Sequence, residues 1–302
     1  MCSKPLTAFR RQEGKITFSP PGEEITLPCG QCILCRLNKA SQMAIRMVHE
    51  QTLHDHSEFL TLTYDDDHLP EDYALRPEDM TAFFKRLRQQ LVRDEKEKIR
   101  YVYSGEYGEK GGRPHYHAIV FGLETPEKES IKSNNRGDLL YQSEWMDNIW
   151  RNGQVIIGNV TERSCRYVAS YTIKDAKTQS YKDDWAAIHP ITGKVINQRP
   201  RPFARYSNKP GIGKEWWDKW KKDLWPTDQL IIKRNGQYIP APIPQYYFAL
   251  LKQHHPKMYE YIKELRTEYM DTDQAHRNHH PDRLQAKEYN TLQRIKLAKR
   301  GT

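Results

Sequence analysis

A chain of 302 residues with a net charge of +9, a pI of about 9.1 and 37% hydrophobic residues is long enough for one large domain or for a core with appendages. The basic balance suits a polyanionic partner. No run approaches the roughly 18 apolar residues of a membrane span, and Met1-Cys2-Ser3-Lys4-Pro5 lacks the apolar stretch of a signal peptide, so the expected location is the cytoplasm of the cell that makes it.

Up to Pro28 the chain is rich in turn formers, with a short apolar alternation around Ile16 and Phe18. There are five cysteines, and three of them lie in Cys29-Gly30-Gln31-Cys32-Ile33-Leu34-Cys35. In a reducing compartment that spacing reads as a metal site more readily than as a disulfide framework. A structural zinc takes four ligands, and Cys2, brought back by the turn-rich stretch, is the candidate for the fourth. The alternative is a set of reduced thiols packed beside the first helix. Cys165 reads as a packing residue.

Arg36 to Leu53 carries apolar residues at helical spacing. Phe59 to Tyr64 reads as a buried strand ending in the acidic turn Asp65-Asp66-Asp67. Pro77 suits a helix first turn, with Met80, Phe83, Phe84, Leu87 and Leu91 forming one apolar stripe behind it. Ile99–Ser104 and His115–Phe121 are two further strands joined by a Gly-rich hairpin loop. Gln154–Thr161 is a fourth, after an insert, and a helix bearing Tyr167 follows directly. Hairpin-length connections in the middle of this series predict an α+β domain around a central antiparallel sheet flanked by helices.

From Tyr181 to about Lys214 the chain reads as irregular and basic. Between Lys194 and Lys222 there are nine Lys/Arg against two acidic residues, interleaved with Phe203, Tyr206, Trp216, Trp217 and Trp220. A single-strand binder wants cations for phosphates and flat rings for bases, which makes Arg201, Arg205, Lys209, Lys214 and Trp216, with Arg113 of the hairpin, candidate DNA contacts. Gln245 to Arg300 reads as helical, split near Asp271 to Pro281. The expected division is a Cys-rich zinc segment (1–36), a catalytic core (37–180) and a basic, aromatic and helical region (181–302).

The chemistry concentrates in two places. In a strand successive side chains face opposite ways, so His115 and His117 share a face while Tyr116 points away. Glu106, at the far end of the same hairpin, can join them in an open three-ligand site whose donors suit zinc, iron or manganese. In a helix, Tyr167, Tyr171 and Lys174 fall on one stripe. A phenol is a poor nucleophile when neutral. Ionising it at pH 7 costs about 4 kcal/mol, which an ammonium and a divalent cation can offset. Together these groups suit covalent attack on a phosphodiester, hence an enzyme acting on DNA. The plainer readings are surface histidines and core tyrosines.

Arg113-Pro114-His115-Tyr116-His117-Ala118-Ile119-Val120-Phe121 resembles the His-hydrophobic-His motif of the HUH endonucleases, the rolling-circle initiators, relaxases and related transposases. Tyr167-Val168-Ala169-Ser170-Tyr171-Thr172-Ile173-Lys174 is similar to the two-tyrosine helix of phage initiators, and Phe59–Tyr64 falls at the family's first strand motif. The cysteine cluster, Ser104-Gly105-Glu106-Tyr107-Gly108 and Lys209-Pro210-Gly211-Ile212-Gly213-Lys214 look like the replication initiator of gokushovirus-type microviruses, circular single-stranded-DNA phages. The resemblance runs from Cys2 to about Trp217. It implies an HUH palm of ferredoxin/RRM-like type, Mg²⁺ or Mn²⁺ at His115, His117 and Glu106, and a 5′-phosphotyrosine intermediate on single-stranded origin DNA. Tyr171 matches the spacing of single-tyrosine initiators, which makes it the first nucleophile and Tyr167 the second. A host polymerase would extend the free 3′ end. With no Walker-type phosphate loop in the chain, a host helicase would unwind, all in the host bacterium's cytoplasm. The rivals are a relaxase or transposase on the same site, and a non-catalytic zinc-dependent DNA-binding regulator.

Overall fold

The computed structural model describes residues 2–94, 98–108, 111–133, 137–174, 187–188, 192–193, 195–196, 199–234 and 236–300, leaving aside the side chains of 171–174, 187–188, 195–196, 234 and 298–300. The chain forms two compact units, residues 1–39 with 248–302, and residues 40–247.

In the first unit, β1 (Leu6–Arg10), β2 (Ile16–Thr17) and β3 (Glu23–Leu27) form a small antiparallel sheet in the order β2-β1-β3. Gly14 makes the β1–β2 turn at φ +75°, a conformation that costs a residue without Cβ nothing. Helix α1 (Ile33–Gln51) starts inside the cysteine cluster and continues into the second unit.

The second unit is built on β4 (Ser57–Tyr64), α2 (Pro77–Arg93), β5 (Arg100–Tyr107), β6 (Pro114–Phe121), β7 (Glu129–Ser133), β8 (Leu139–Gln142), α3 (Glu144–Trp150), β9 (Gly153–Asn159) and α4 (Glu162–Lys174). A two-residue pair, β10 (Ala187–Ile188) with β11 (Val195–Ile196), precedes β12 (Phe203–Tyr206) and α5 (Lys214–Leu224). The hairpin β13 (Leu230–Arg234) and β14 (Gln237–Ala241) follows, then α6 (Gln245–His254). The remaining helices of the first unit are α7 (Pro256–Met270), α8 (Asp273–His279) and α9 (Pro281–Arg300). No helix among the described residues is long and apolar enough to cross a membrane.

Seven strands make one antiparallel sheet in the order β12-β5-β6-β4-β9-β8-β7. Its two faces follow from strand alternation. Leu60, Leu62, Tyr64, Tyr103, Tyr116, Ala118, Val120, Val155 and Ile157 pack against the apolar stripe of α2 and against Met146, Ile149 and Trp150 of α3. Pro77 occupies the first turn of α2, with Glu78 and Asp79 placed favourably against the helix dipole. The opposite face, with Val102, Ile119, Phe121 and Phe59, packs against α1 and α4 through Met43, Ala44, Met47, Cys165, Val168 and Ala169.

The four expected strands and the two helices before them appear within a few residues of their expected bounds. The insert, however, is folded: it adds β7 and β8 to the sheet and contributes α3. The basic stretch is also less irregular than its sequence suggests. Phe203↔Gly105 and Tyr206↔Val102 pairing makes β12 an edge strand, where Pro200 and Pro202 just ahead of it interrupt no ladder.

Candidate functional site

The hairpin register builds the site. Glu106 lies directly opposite His115, and Ser104 opposite His117, so all four occupy the face covered by α1 and α4. His115 Nε2 lies 3.0 Å and His117 Nε2 2.7 Å from Glu106 Oε1. One ligand atom from each residue fits within 4.8 Å of the others. Glu106 and His117 are buried and His115 half-buried.

Both rings are steered from behind. His115 Nδ1–H donates to the Arg113 carbonyl at 3.2 Å, and the Thr61 hydroxyl lies 3.1 Å from His117 Nδ1. Orientation at Nδ1 leaves Nε2 of neutral His115 as a lone pair. That lone pair faces a carboxylate oxygen, and two acceptors so close call for positive charge between them. The donor set of two imidazoles and one carboxylate therefore fits a divalent cation. Phe59 lies parallel to the His117 ring at 5.6 Å and 6°.

Helix α4 supplies the nucleophile candidate. Thr161 and Ser164 cap it reciprocally: Ser164 N–H donates to Thr161 Oγ1 at 3.2 Å, and Thr161 N–H to Ser164 Oγ at 2.8 Å. Buried Cys165, Val168 and Ala169 fix the helix rotation, and Tyr167 then reaches the hairpin. Its hydroxyl donates to Glu106 Oε1 at 2.8 Å and lies 3.1 Å from His117 Nε2. Tyr171 and Lys174 belong to the same helix backbone, but their side chains lie outside the described residues. Tyr116 points to the other side, as strand alternation requires, and is fully buried.

Cys2, Cys29, Cys32 and Cys35 converge in the first unit, each offering a sulfur within 4.8 Å of the others. Cys2 and Cys29 sulfurs are 3.4 Å apart, and Cys2 and Cys32 sulfurs 3.8 Å. All are free thiols. Sulfurs about 3.8 Å apart are what tetrahedral zinc–thiolate bonds require. Backbone N–H groups of Gln31 and Cys32 donate to Cys29 Sγ. Burial raises the Cys32 thiol, but hydrogen bonds from Ser3 and Cys35 outweigh it and bring it down to about 6. Burial and the neighbouring Cys2 and Cys32 push Cys35 up to about 12. Burial also pushes Cys165 up to about 12, as an inert packed thiol should behave.

The candidate DNA contacts divide into two groups. Arg205 and Lys209 are exposed, and Arg201 is half-buried just ahead of the edge strand beside the hairpin. Arg113 instead pairs with Asp66 at 2.8 Å and donates to the Tyr64 carbonyl at 2.9 Å. Lys214 pairs with Asp218 at 2.5 Å, and Trp216 stacks on His49 at 3.5 Å. The Lys209–Lys214 loop is anchored to its own unit: Arg46 donates to the Ile212 carbonyl, Arg100 to that of Pro210, and Gly213 N–H to buried Glu50.

Thr61 and Phe59 are the residues that sequence reading left out. The signal was available, because Phe59, Thr61 and Thr63 alternate with the apolar positions of β4 and so share the histidine face.

The family model of the replication-associated protein ORF2 matches residues 57–176. The replication-associated protein VP4 of Bdellovibrio phage phiMH2K is 34% identical over 265 residues, covering 85% of this chain and 78% of that protein. The replication-associated protein ORF2 of Spiroplasma virus 4 is 29% identical over 248 residues, 80% of this chain and 73% of that protein. The replication-associated protein ORF4 of Chlamydia phage 1 is 34% identical over 152 residues, 49% of this chain and 38% of that protein. No solved structure matches significantly. The similarity thus covers more of the chain than the motifs up to Trp217 reach.

Proposed function

The chain belongs to the replication-associated proteins of gokushovirus-type phages, and from that premise we propose that it is a rolling-circle initiator of HUH type, nicking and rejoining single-stranded origin DNA. One observation carries the reading: Glu106, His115 and His117 converge within 4.8 Å, with the Tyr167 hydroxyl hydrogen-bonded to the same carboxylate.

A tyrosine oxygen attacks the scissile phosphorus, the bond from phosphorus to the 3′ oxygen breaks, and a 5′-phosphotyrosine and a free 3′-hydroxyl result. A divalent cation, Mg²⁺ or Mn²⁺, held by Glu106, His115 and His117 would supply charge neutralisation on the phosphate oxygens. Glu106 accepts the phenolic hydrogen bond and polarises the O–H. Thr61 and the Arg113 carbonyl keep the imidazoles facing the phosphate side. Lys174, on the same helix, is assigned the role of stabilising phenolate. Tyr171 opens the strand, and Tyr167 accepts the second transfer that releases the circle.

Cys2, Cys29, Cys32 and Cys35 hold a structural zinc. Residues 37–180 carry the chemistry, and Arg201, Arg205 and Lys209 the backbone contacts. A host polymerase extends the 3′ end and a host helicase unwinds, in the host cytoplasm.

The test is a labelled circular single strand carrying the origin, incubated with Mn²⁺ or Mg²⁺ and run on a denaturing gel. A protein-linked 5′ end is the expected product. The cysteine cluster gives a second reading some support, that of a zinc-dependent DNA-binding regulator. Binding without cleavage under either metal would establish that reading in place of the enzyme.

A further inference from the structure

A cavity of about 440 Å³ opens beside the hydroxyl of Tyr167 and has no assigned role. Tyr167 and His117 form one side of it. Its floor is the histidine face of the sheet, with Phe59, Ile156 and Gly158. Leu139 and Leu140 of β8 close the far wall, so the insert between β6 and α3 completes the cavity. Lys132 and Arg163, both exposed, stand at its rim. Asp138 and Asn159 add hydrogen-bonding groups.

We infer that this cavity takes the nucleobase adjoining the scissile phosphate, which rests on the reading of the site as a single-strand nickase. The size lies within the roughly 300–1,000 Å³ of small-molecule sites. An apolar floor with an aromatic ring, entered between two cations, fits a flat base attached to phosphates at both ends. Because the attacking hydroxyl and a metal-ligand histidine line the cavity, its occupant belongs to a nucleotide next to the reacting phosphorus. Gly158 keeps the floor open. A methyl added there would lie 3.5 Å from Leu140 Cδ2 and 3.8 Å from Phe59 Cδ1, ordinary contact distances, so a larger side chain fills the cavity without displacing backbone. Valine suits the strand position.

The experiment uses the full chain and single-stranded origin oligonucleotides, each carrying one abasic site at a position flanking the nick. In the unmodified protein, one adjoining position should lower kcat/KM on the order of tenfold, the worth of one base stacked on an aromatic surface. In Gly158→Val the native and abasic oligonucleotides should be nicked at equal rates, with a far-UV spectrum and melting temperature like the parent's. Leu139→Ala, at an exposed wall position, provides a second variant that does not depend on strand packing and should shrink the same ratio. In parallel, 2-aminopurine at that position should change its fluorescence on binding without added metal, and lose the response in Gly158→Val. A fluorescence response without nicking would retain the pocket and overturn the nickase reading. Nicking with no abasic-sensitive position, or with a sensitivity that Gly158→Val leaves intact, would overturn the pocket and leave the cavity to an apolar peptide segment.

Discussion

Tyr167 and Tyr171 sit one helical turn apart, and the difference between them is what each hydroxyl touches. Tyr167 gives its proton to Glu106 Oε1 at 2.8 Å, so it is held in reserve on the carboxylate. Tyr171 is the one spaced from Lys174 as in single-tyrosine initiators. Tyr171→Phe should therefore abolish the first covalent adduct, whereas Tyr167→Phe should form it and fail to release closed circles. Adducts and circles are read on one denaturing gel, and an adduct surviving in Tyr171→Phe would reverse the order. A second residue, His49, makes a pH prediction. It stacks between the planes of Trp216 and Tyr247, with its Nδ1 2.9 Å from the Tyr247 hydroxyl. Burial lowers its pKa from 6.5 to about 3. A folded-state pKa below the unfolded one means that the unfolded chain binds the extra proton. The contribution is thus fully present above pH 6.5 and is lost as pH falls toward 3. Between pH 6.5 and about 5 the loss approaches about 2 kcal/mol, at roughly 1.4 kcal/mol per pH unit. In denaturant titrations His49→Phe should lose less stability than the parent over that interval. An equal loss in both would remove His49 from the account.

At the level of elements, what could be read in advance depended on period and composition. β4 and β6 showed themselves by alternation, α2 by its stripe from Met80 to Leu91, and the Glu106–His115 approach by a hairpin whose register brings them face to face. β7 did not, because all five of its residues, Glu129 to Ser133, are exposed and carry no apolar period. α3 has only seven residues, too few for a helical stripe, although Met146, Ile149 and Trp150 are all buried. β12 was obscured by flanking prolines and arginines, since an edge strand needs only one partner. The cysteine cluster was legible because thiol spacing is a local signal. It also gives this scale its prediction. β1, β2 and β3 bury little, with Ala8 their single buried residue, so the segment needs a staple. Purified protein should carry one zinc, and Cys32→Ser should lose it and expose the segment to limited proteolysis. Full zinc retention in that variant would leave the four thiols as packing alone.

For the whole molecule the controlling quantity is the excess of positive charge, +9 over 302 residues, and where it remains available to a ligand. Not every arginine or lysine in the basic stretch is equivalent. Arg113 is committed to Asp66 and the Tyr64 carbonyl, and Lys214 to Asp218, so removing either withdraws an intramolecular partner. Arg205 and Lys209 are exposed, close in sequence and attached to the sheet edge that carries Glu106. Counterion release makes the logarithm of the binding constant fall linearly with the logarithm of salt, by about 0.7 per phosphate contacted on a single strand. Binding of a single-stranded oligonucleotide should therefore weaken steeply with salt. Arg205→Ala with Lys209→Ala should reduce the magnitude of the slope by about 1.4, from two lost contacts. Lys214→Ala should leave the slope nearly unchanged, because its charge is already balanced by Asp218. Fluorescence anisotropy across a salt series measures all three. A flat dependence in the parent would mean that stacking, not charge, holds the strand, and an equal loss of slope in all variants would mean that the intramolecular pairs open when DNA binds.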